Sequence, residues 1–172
     1  MLISKYSLTS SYSGQSKASR FLLPQKVVPL LPAADEGVIR KKEQNMIRVY
    51  GIKEQLNPIK AKLSDVINQC MVDALSFPEN KRAHRFIPME KEDYYYPEGR
   101  SDAYMVIEIS MMEGRSVESK KKLIHLLFER IDKEVGISPN DVEITITESP
   151  ACNWGFRGIT GDEAKLNYKV NV

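Results

Sequence analysis

The sequence lacks the features of several large protein classes. No apolar run approaches the ~18 residues of a membrane-spanning helix, and no stretch resembles the apolar core of a secretory signal. The 172-residue chain has only two cysteines, Cys70 and Cys152, which cannot build a disulfide framework. Its formal net charge of +2 is too small to indicate a nucleic-acid partner. We therefore expect a cytoplasmic protein that binds neither membrane nor nucleic acid.

Residues for metal or nucleotide binding are also scarce. His84 and His125 are the only histidines, and no His, Cys and acidic residues cluster at ligand spacing. There is no P-loop and no glycine-rich dinucleotide fingerprint. Cys70 falls on the apolar face of a predicted helix, where a core position is expected. The sequence therefore predicts no metal and no cofactor.

The first 45 residues differ in composition from the rest of the chain. Residues 1–34 contain no Asp or Glu, and seven of the first 19 are serine. Seven basic and three acidic residues give 1–45 a charge of +4, so the remainder carries −2. We interpret 1–45 as a disordered tail, as sequence upstream of the true start, or as a transit peptide. The domain is expected over 46–172, because Met46 directly precedes the first clear strand.

A first unit of strand, helix and strand follows Met46. Residues 47–50 form a short β-branched and aromatic strand. Asn57 and Pro58 predict the start of a helix, with Asn as the cap and Pro at the first helical position, and Pro78 ends it. His84–Met89 is predicted as a second strand, and its proline favours the edge of a sheet.

The same order then recurs. Residues 104–111 form an apolar strand, predicted to be buried on both faces. Ser116 is expected to cap a second helix, and Gly136 suits its left-handed C-terminal position. Residues 142–147 alternate as a strand, and the glycine-rich segment after Trp154 continues into a weakly alternating tail.

Two consecutive β-α-β units predict the architecture. Each crossover is long enough to join parallel strands and should be right-handed. The predicted fold is α+β, with a four-stranded sheet and two helices on one face. We expect the uncovered face to be apolar and to be buried by partner subunits.

Several spaced motifs of the second unit carry a family resemblance. They are the EGRS turn at 113–116, the ITE strand end at 146–148 and the aromatic-glycine hairpin at 153–158. Together these motifs resemble the tautomerase superfamily, typified by 4-oxalocrotonate tautomerase. The match covers about 105–160 well and 47–91 more weakly. The resemblance implies a fused two-repeat subunit with a β-α-β fold and a homotrimeric assembly.

The resemblance also implies a site. In this family an amino-terminal proline acts as the base, arginines bind the substrate carboxylate, and a hairpin aromatic residue forms the pocket wall. By position Arg115 matches the turn arginine, Arg85 the strand arginine and Trp154 the hairpin aromatic. Phe156 and Arg157 of the same hairpin are further candidates for contact with the substrate.

The expected proline is absent from the first strand. If the chain starts at Met46, its primary amine, with an ordinary pKa of ~7.7–8.0, would lie where the proline does. Asp102, Tyr104 and Glu108 are alternative bases, since a carboxyl group in an apolar pocket has a raised pKa. The sequence does not choose among these groups.

Each candidate also has a structural interpretation. Arg115 could be a solvated turn residue, and Arg85 could pair with Glu90, Glu92 or Asp102. Trp154 could lie at a subunit contact, which is also the favoured place for the tyrosine cluster at 94–96.

Three functions remain open. The first is an isomerase that moves a proton between the enol and keto forms of a small carboxylic acid. The second is a non-catalytic trimeric binding module with the same fold, which the missing proline favours. A weaker third is hydrolytic or dehalogenating chemistry, which needs an acid near the arginines.

Overall fold

The computed structural model describes residues 45–164. The predicted leader up to residue 44 and the predicted alternating tail from 165 onward lie outside the described residues. The strands are β1 (Asn45–Ile52), β2 (His84–Met89), β3 (Met105–Met112), β4 (Val142–Ser149), β5 (Gly155–Phe156) and β6 (Ile159–Thr160). The helices are α1 (Lys53–Leu75) and α2 (Val117–Arg130), the latter extended by a π-helical turn at Ile131–Val135.

The main sheet has the order β2-β1-β3-β4. β1 pairs in parallel with β2, and β3 pairs in parallel with β4, so each helix is the crossover of one β-α-β unit. The two units meet through the antiparallel pair β1 and β3. The predicted α+β fold of two repeats and four strands is confirmed.

The core lies between this sheet and both helices. Alternate residues of β1 and β3 are fully buried, among them Ile47 and Ile109. The helices meet them with Leu63 of α1 and with Leu123 and Leu127 of α2, each of them 0% exposed. Burying each such side chain stabilises the fold by about 1.5–3 kcal/mol. The alternation along the strands and the helical spacing place these side chains on one face of each element, so those faces pack together.

The first helix begins earlier than predicted. α1 starts at Lys53, directly after β1, so Pro58 lies inside it and Asn57 is not its cap. Leu56 explains the difference, because it is 1% exposed and extends the apolar face of the helix by one turn. The helix ends at Leu75, before Pro78, where Ser76 adopts a left-handed conformation with φ of 52°.

The second helix follows its predicted signals. Oγ of Ser116 accepts a hydrogen bond from the Ser119 backbone N at 3.1 Å, which is an N-cap. Gly136 has φ of +80° and ends the π-helical turn, as expected for a residue without a Cβ. Among the described residues no helix is both long and apolar enough to cross a bilayer.

The uncovered face of the sheet is more polar than predicted. β3 alternates between buried and half-buried residues, so the expectation that both its faces are buried is wrong. The central row across this face contains Arg85 of β2, Arg48 of β1, Glu108 of β3 and Thr145 of β4. Because the strand period is two, these side chains point away from the core. We call this surface the open face.

Candidate active site

A hairpin closes one end of the sheet. Asn45 at the start of β1 and Glu148 near the end of β4 both pair with Met111 of β3, so the chain leaves β4 at the end of the sheet where β1 begins, with β3 between them. The segment then turns into the β5-β6 hairpin, where the backbone N of Gly161 donates to the Trp154 carbonyl at 2.7 Å. This geometry carries the hairpin aromatics toward the first two strands.

The hairpin and the strand ends enclose a cleft of about 270 Å³. Its wall contains four residues singled out from the sequence, Met46, Arg85, Trp154 and Phe156, together with Asn45, Ala83 and Gly155. This volume lies just below the ~300 Å³ lower end of ordinary ligand sites, so the cleft suits only a small molecule. The cleft combines one guanidinium with two aromatic rings.

A second arginine adjoins the cleft residue Arg85. Arg48 is its direct neighbour in the β1-β2 register. The Arg48 Nη1 atom lies 4.0 Å from Glu108 Oε2 and 3.5 Å from Ser110 Oγ, both long contacts. Two guanidinium groups on adjacent strands favour an anion between them. Sequence reasoning missed Arg48, although its position two residues after Met46 places both on one face of β1.

Glu108 is engaged by a phenol as well as by Arg48. The Tyr50 hydroxyl donates to Glu108 Oε2 at 3.0 Å. Burial, then this hydrogen bond, raises the pKa of Tyr50, so the phenol stays protonated and keeps donating. Glu108 thus accepts from β1 on the open face and does not line the cleft.

Two polar atoms of cleft-lining residues are buried without a hydrogen-bond partner. They are the amide oxygen Oδ1 of Asn45 and the indole nitrogen Nε1 of Trp154. Asn45 is 6% exposed. Native proteins pair the large majority of such atoms, so the two unpaired atoms call for an explanation.

Arg115 does not line the cleft. It is 9% exposed, and its Nη1 donates to the Leu75 backbone carbonyl at 2.8 Å. That carbonyl belongs to the last residue of α1, whose final carbonyls have no partner within the helix. In the single subunit Arg115 therefore ties the turn before α2 to the end of α1.

Arg157 lies at the tip of the hairpin. It has φ of 55°, an uncommon value for a residue other than glycine. With Phe156, Thr160 and Glu163 it borders an open depression of about 400 Å³. Phe156 belongs to both hollows, so Arg157 lies near the cleft without lining it.

The other carboxylates considered from the sequence are engaged elsewhere. Asp102 accepts from Lys91 Nζ and from the Tyr96 hydroxyl, each at 2.5 Å. Those hydrogen bonds, that of Lys91 first, lower the pKa of Asp102, which keeps it ionised. Glu90 pairs with Lys53 at 2.7 Å. Glu90 and Asp102 thus have lysine partners and are not paired with Arg85.

The tyrosine-rich connection packs on itself and on the sheet. The rings of Tyr94, Tyr96 and Tyr104 lie 5.7–6.2 Å apart, and Tyr95 is 92% exposed. The Tyr104 hydroxyl donates to Glu143 at 2.6 Å, and burial, followed by that bond, raises the pKa of Tyr104 to about 12. Tyr104 is therefore not a base near neutral pH.

Within residues 45–164, no three His, Cys, Asp or Glu side chains are grouped as metal ligands. The described part of the cleft contributes one thioether, one guanidinium, one amide and aromatic rings. These groups suit an organic anion better than a divalent cation, whose ligands are carboxylates, imidazoles or thiolates.

Sequence comparisons agree on one family. Residues 81–157 match the family model described as tautomerase enzyme. The chain is 28% identical over 100 residues to the probable tautomerase YusQ of Bacillus subtilis, covering 55% of this chain and 79% of YusQ. It is 36% identical over 56 residues to 2-hydroxymuconate tautomerase of Comamonas testosteroni, covering 33% of this chain and 89% of that enzyme.

Solved structures share the fold. The wild-type R7 fused 4-OT asymmetric trimer aligns with a TM-score of 0.61 and 22% identity, over 68% of this chain and 96% of that chain. A malonate semialdehyde decarboxylase aligns with a TM-score of 0.59 and 24% identity, over 64% and 89%. These structures show the fold, and the sequence relatives show that the chain belongs to the tautomerase superfamily.

Proposed function

We propose that this protein is an isomerase that moves a proton between the enol and keto forms of a small carboxylic acid. The observation that carries the proposal is the cleft that brings Arg85, Met46 and the hairpin aromatics together. The name of the 2-hydroxymuconate tautomerase relative supports the same class of reaction. No cofactor is needed for such a proton transfer.

Arg85 is the principal contact for the substrate carboxylate, with Arg48 beside it. A guanidinium group binds a carboxylate through two parallel hydrogen bonds, which fixes the orientation of the acid. Negative charge develops on the carbonyl oxygen as the proton leaves carbon, and fixed cations next to it lower that barrier. Trp154 and Phe156 form the apolar wall, which excludes water and strengthens these interactions.

The Met46 nitrogen is the base we test first. A primary amine at the start of the strand has an ordinary pKa of ~7.7–8.0, close to what neutral-pH base catalysis requires. In a chain that continues through Asn45, the same nitrogen is a peptide nitrogen within β1 and cannot accept a proton. The proposed activity therefore belongs to a form of the protein that begins at Met46.

Arg115 and Arg157 take secondary roles in this proposal. Arg115 binds the end of α1, so it contributes to the site by holding the turn before α2 in place. Arg157 lies at the hairpin tip, where it attracts anions toward the cleft. In the single subunit Arg115 contacts the end of α1 and takes no part in the expected anion contact. In an assembly, a partner subunit would add further groups to the site.

The proposed assembly is a homotrimer in the cytoplasm. The fused 4-OT relatives of similar fold are described as trimers. The half-buried residues of β3 on the open face support burial of this surface between subunits, and its charged residues would then need partners across the interface.

The direct test is ketonisation of phenylenolpyruvate or 2-hydroxymuconate by protein that begins at Met46. We expect a rate above buffer that Arg85→Gln lowers about 100-fold, the usual effect of removing a charge-stabilising donor. Arg82→Gln is the matched control, because Arg82 pairs with Asp65 at 2.6 Å and does not line the cleft. Equal rates for the two variants, or no rate above buffer, would contradict the proposal.

A non-catalytic binding module is the second candidate. The observation that favours it is the absence of proline at the start of β1, where Met46 is followed by Ile47. Intact-mass measurement of the protein isolated from its native cells separates the two candidates. A mass that includes Asn45 leaves no amine in the cleft and favours the binding module, whereas a first residue of Met46 favours the isomerase.

A further inference from the structure

Arg48 lies between a cation and an anion on the open face. Its register neighbour on β2 is Arg85, which lines the cleft, and its register neighbour on β3 is Glu108. The Nη1 atom of Arg48 contacts Glu108 Oε2 at 4.0 Å and Ser110 Oγ at 3.5 Å, so its guanidinium is turned toward β3. Like charges directly opposite each other repel and opposite charges attract, so both neighbours favour this orientation.

The contact between Arg48 and Glu108 is weak by its geometry. Its 4.0 Å is far longer than the ~2.7–2.9 Å of a hydrogen bond from a guanidinium to a carboxylate. The Tyr50 hydroxyl donates to the same oxygen, Oε2, at 3.0 Å, so the phenol lies closer to it than the guanidinium does. The side chains of Arg48 and Glu108 are 31% and 46% exposed, which screens their attraction. Arg48 can therefore leave Glu108 at small cost.

From this arrangement we infer that Glu108 is a positioning residue that competes with the ligand carboxylate for Arg48. A carboxylate bound by Arg85 places negative charge beside Arg48 on the β2 side, which offsets the repulsion between the two guanidinium groups. Arg48 then turns from Glu108 to the ligand, while the Tyr50 hydroxyl keeps Glu108 hydrogen-bonded. The inference rests on the proposed function, because it assumes that Arg85 binds the carboxylate.

The affinity of the full chain for a carboxylate measures this competition. The probe is butanoate, and the readout is the fluorescence of Trp154, which is the only tryptophan in the chain and part of the cleft wall. We expect Glu108→Gln to tighten butanoate binding about two- to fivefold, the contribution of an exposed ion pair. Tyr50→Phe should weaken it about twofold, because the oxygen freed from the phenol then accepts from Arg48 more closely.

Glu143→Gln is the matched control for the loss of a negative charge. Glu143 also lies on the open face and also accepts from a phenol, since the Tyr104 hydroxyl donates to it at 2.6 Å. Its register neighbour on β3 is Val106, and it does not line the cleft. Glu143→Gln should therefore leave the affinity for butanoate nearly unchanged. Equal tightening in Glu143→Gln and Glu108→Gln would show an effect of net charge alone and would overturn the inference.

A double variant tests whether Glu108 acts through Arg48. Arg48→Gln alone should weaken butanoate binding about tenfold, the usual effect of losing a charged hydrogen bond. In that background Glu108→Gln should have no further effect, because the guanidinium for which it competes is absent. Arg48→Lys keeps the cation and should restore part of both the affinity and the response to Glu108→Gln. The same tightening with and without Arg48 contradicts the competition.

Sedimentation and one further variant separate the remaining explanations. Each variant should have the mass of the wild type, and tighter binding of Glu108→Gln with a changed mass would mean that affinity follows assembly and not competition. If Arg85→Gln abolishes butanoate binding and Glu108→Gln changes nothing, the carboxylate site stands and the role of Glu108 is wrong. If butanoate does not bind even to the wild type, the carboxylate site and the competition are both wrong.

Discussion

His84 is the residue at which solution pH should act most strongly on the stability of the fold. Its Nδ1 lies 2.9 Å from Ser64 Oγ, and burial, followed by the charge of Arg82, lowers its pKa from 6.5 to about 4. The unfolded chain therefore binds a proton between these values while the folded chain does not. The contribution of neutral His84 to the free energy of unfolding is complete above about pH 6.5 and is lost as the pH falls toward 4.

The measurement is urea unfolding of the wild type and His84→Gln across this interval. Over this interval the free energy of unfolding of the wild type should fall by about 1–3 kcal/mol more than that of the variant. The lower figure allows for solvent screening, because the ring is partly exposed. His125→Gln, which removes the other histidine, should track the wild type. Parallel curves for wild type and His84→Gln would contradict the assignment.

Arg115 should matter for stability more than for anion binding. Arg115→Ala leaves the Leu75 carbonyl without its donor in a buried setting, so we expect a loss of about 1.5–3 kcal/mol in the free energy of unfolding. Binding of carboxylates, followed by Trp154 fluorescence, should change little in the molecules that remain folded. If Arg115→Ala leaves stability unchanged and abolishes carboxylate binding, Arg115 is instead an anion contact, as its motif implies.

The hairpin is the element that completes the cleft, and its closure depends on Gly161. A Cβ on this residue would lie 2.5 Å from Met112 Cε and closer still to the Ala151 carbonyl oxygen, which is backbone. Gly161→Ala should displace the hairpin, cost about 1–3 kcal/mol and shift Trp154 emission to the red as the ring becomes exposed. Gly155→Ala is the control, because a Cβ there meets nothing within 4 Å. If the two variants have identical Trp154 emission, the hairpin is not packed closely against Met112 and Ala151 at Gly161.

Local signals predicted the elements, and long-range packing decided the exceptions. Ser116 and Gly136 act within a few residues, so the cap and the end of α2 were predictable. Asn57 and Pro58 gave an equally good local signal for α1, but Leu56 buries its side chain one turn earlier. The place of Arg48 beside Arg85 depends on the β1-β2 register, which no local pattern contains.

The open face should become an interface when the whole molecule assembles. We expect sedimentation to give about three times the 19.6 kDa chain mass. Thr145→Glu should dissociate the assembly without unfolding the subunit, because Thr145 is exposed in the central row of that face and its register neighbour is Glu108, which leaves the new carboxylate beside a like charge. Burying a charge without a partner in an interface costs several kcal/mol, so the assembly should weaken. Val117→Glu places the same charge on the helical side, where Val117 is 55% exposed, and should leave the mass unchanged. If Val117→Glu dissociates the assembly and Thr145→Glu does not, the subunits meet through their helices and the open face is exposed to solvent.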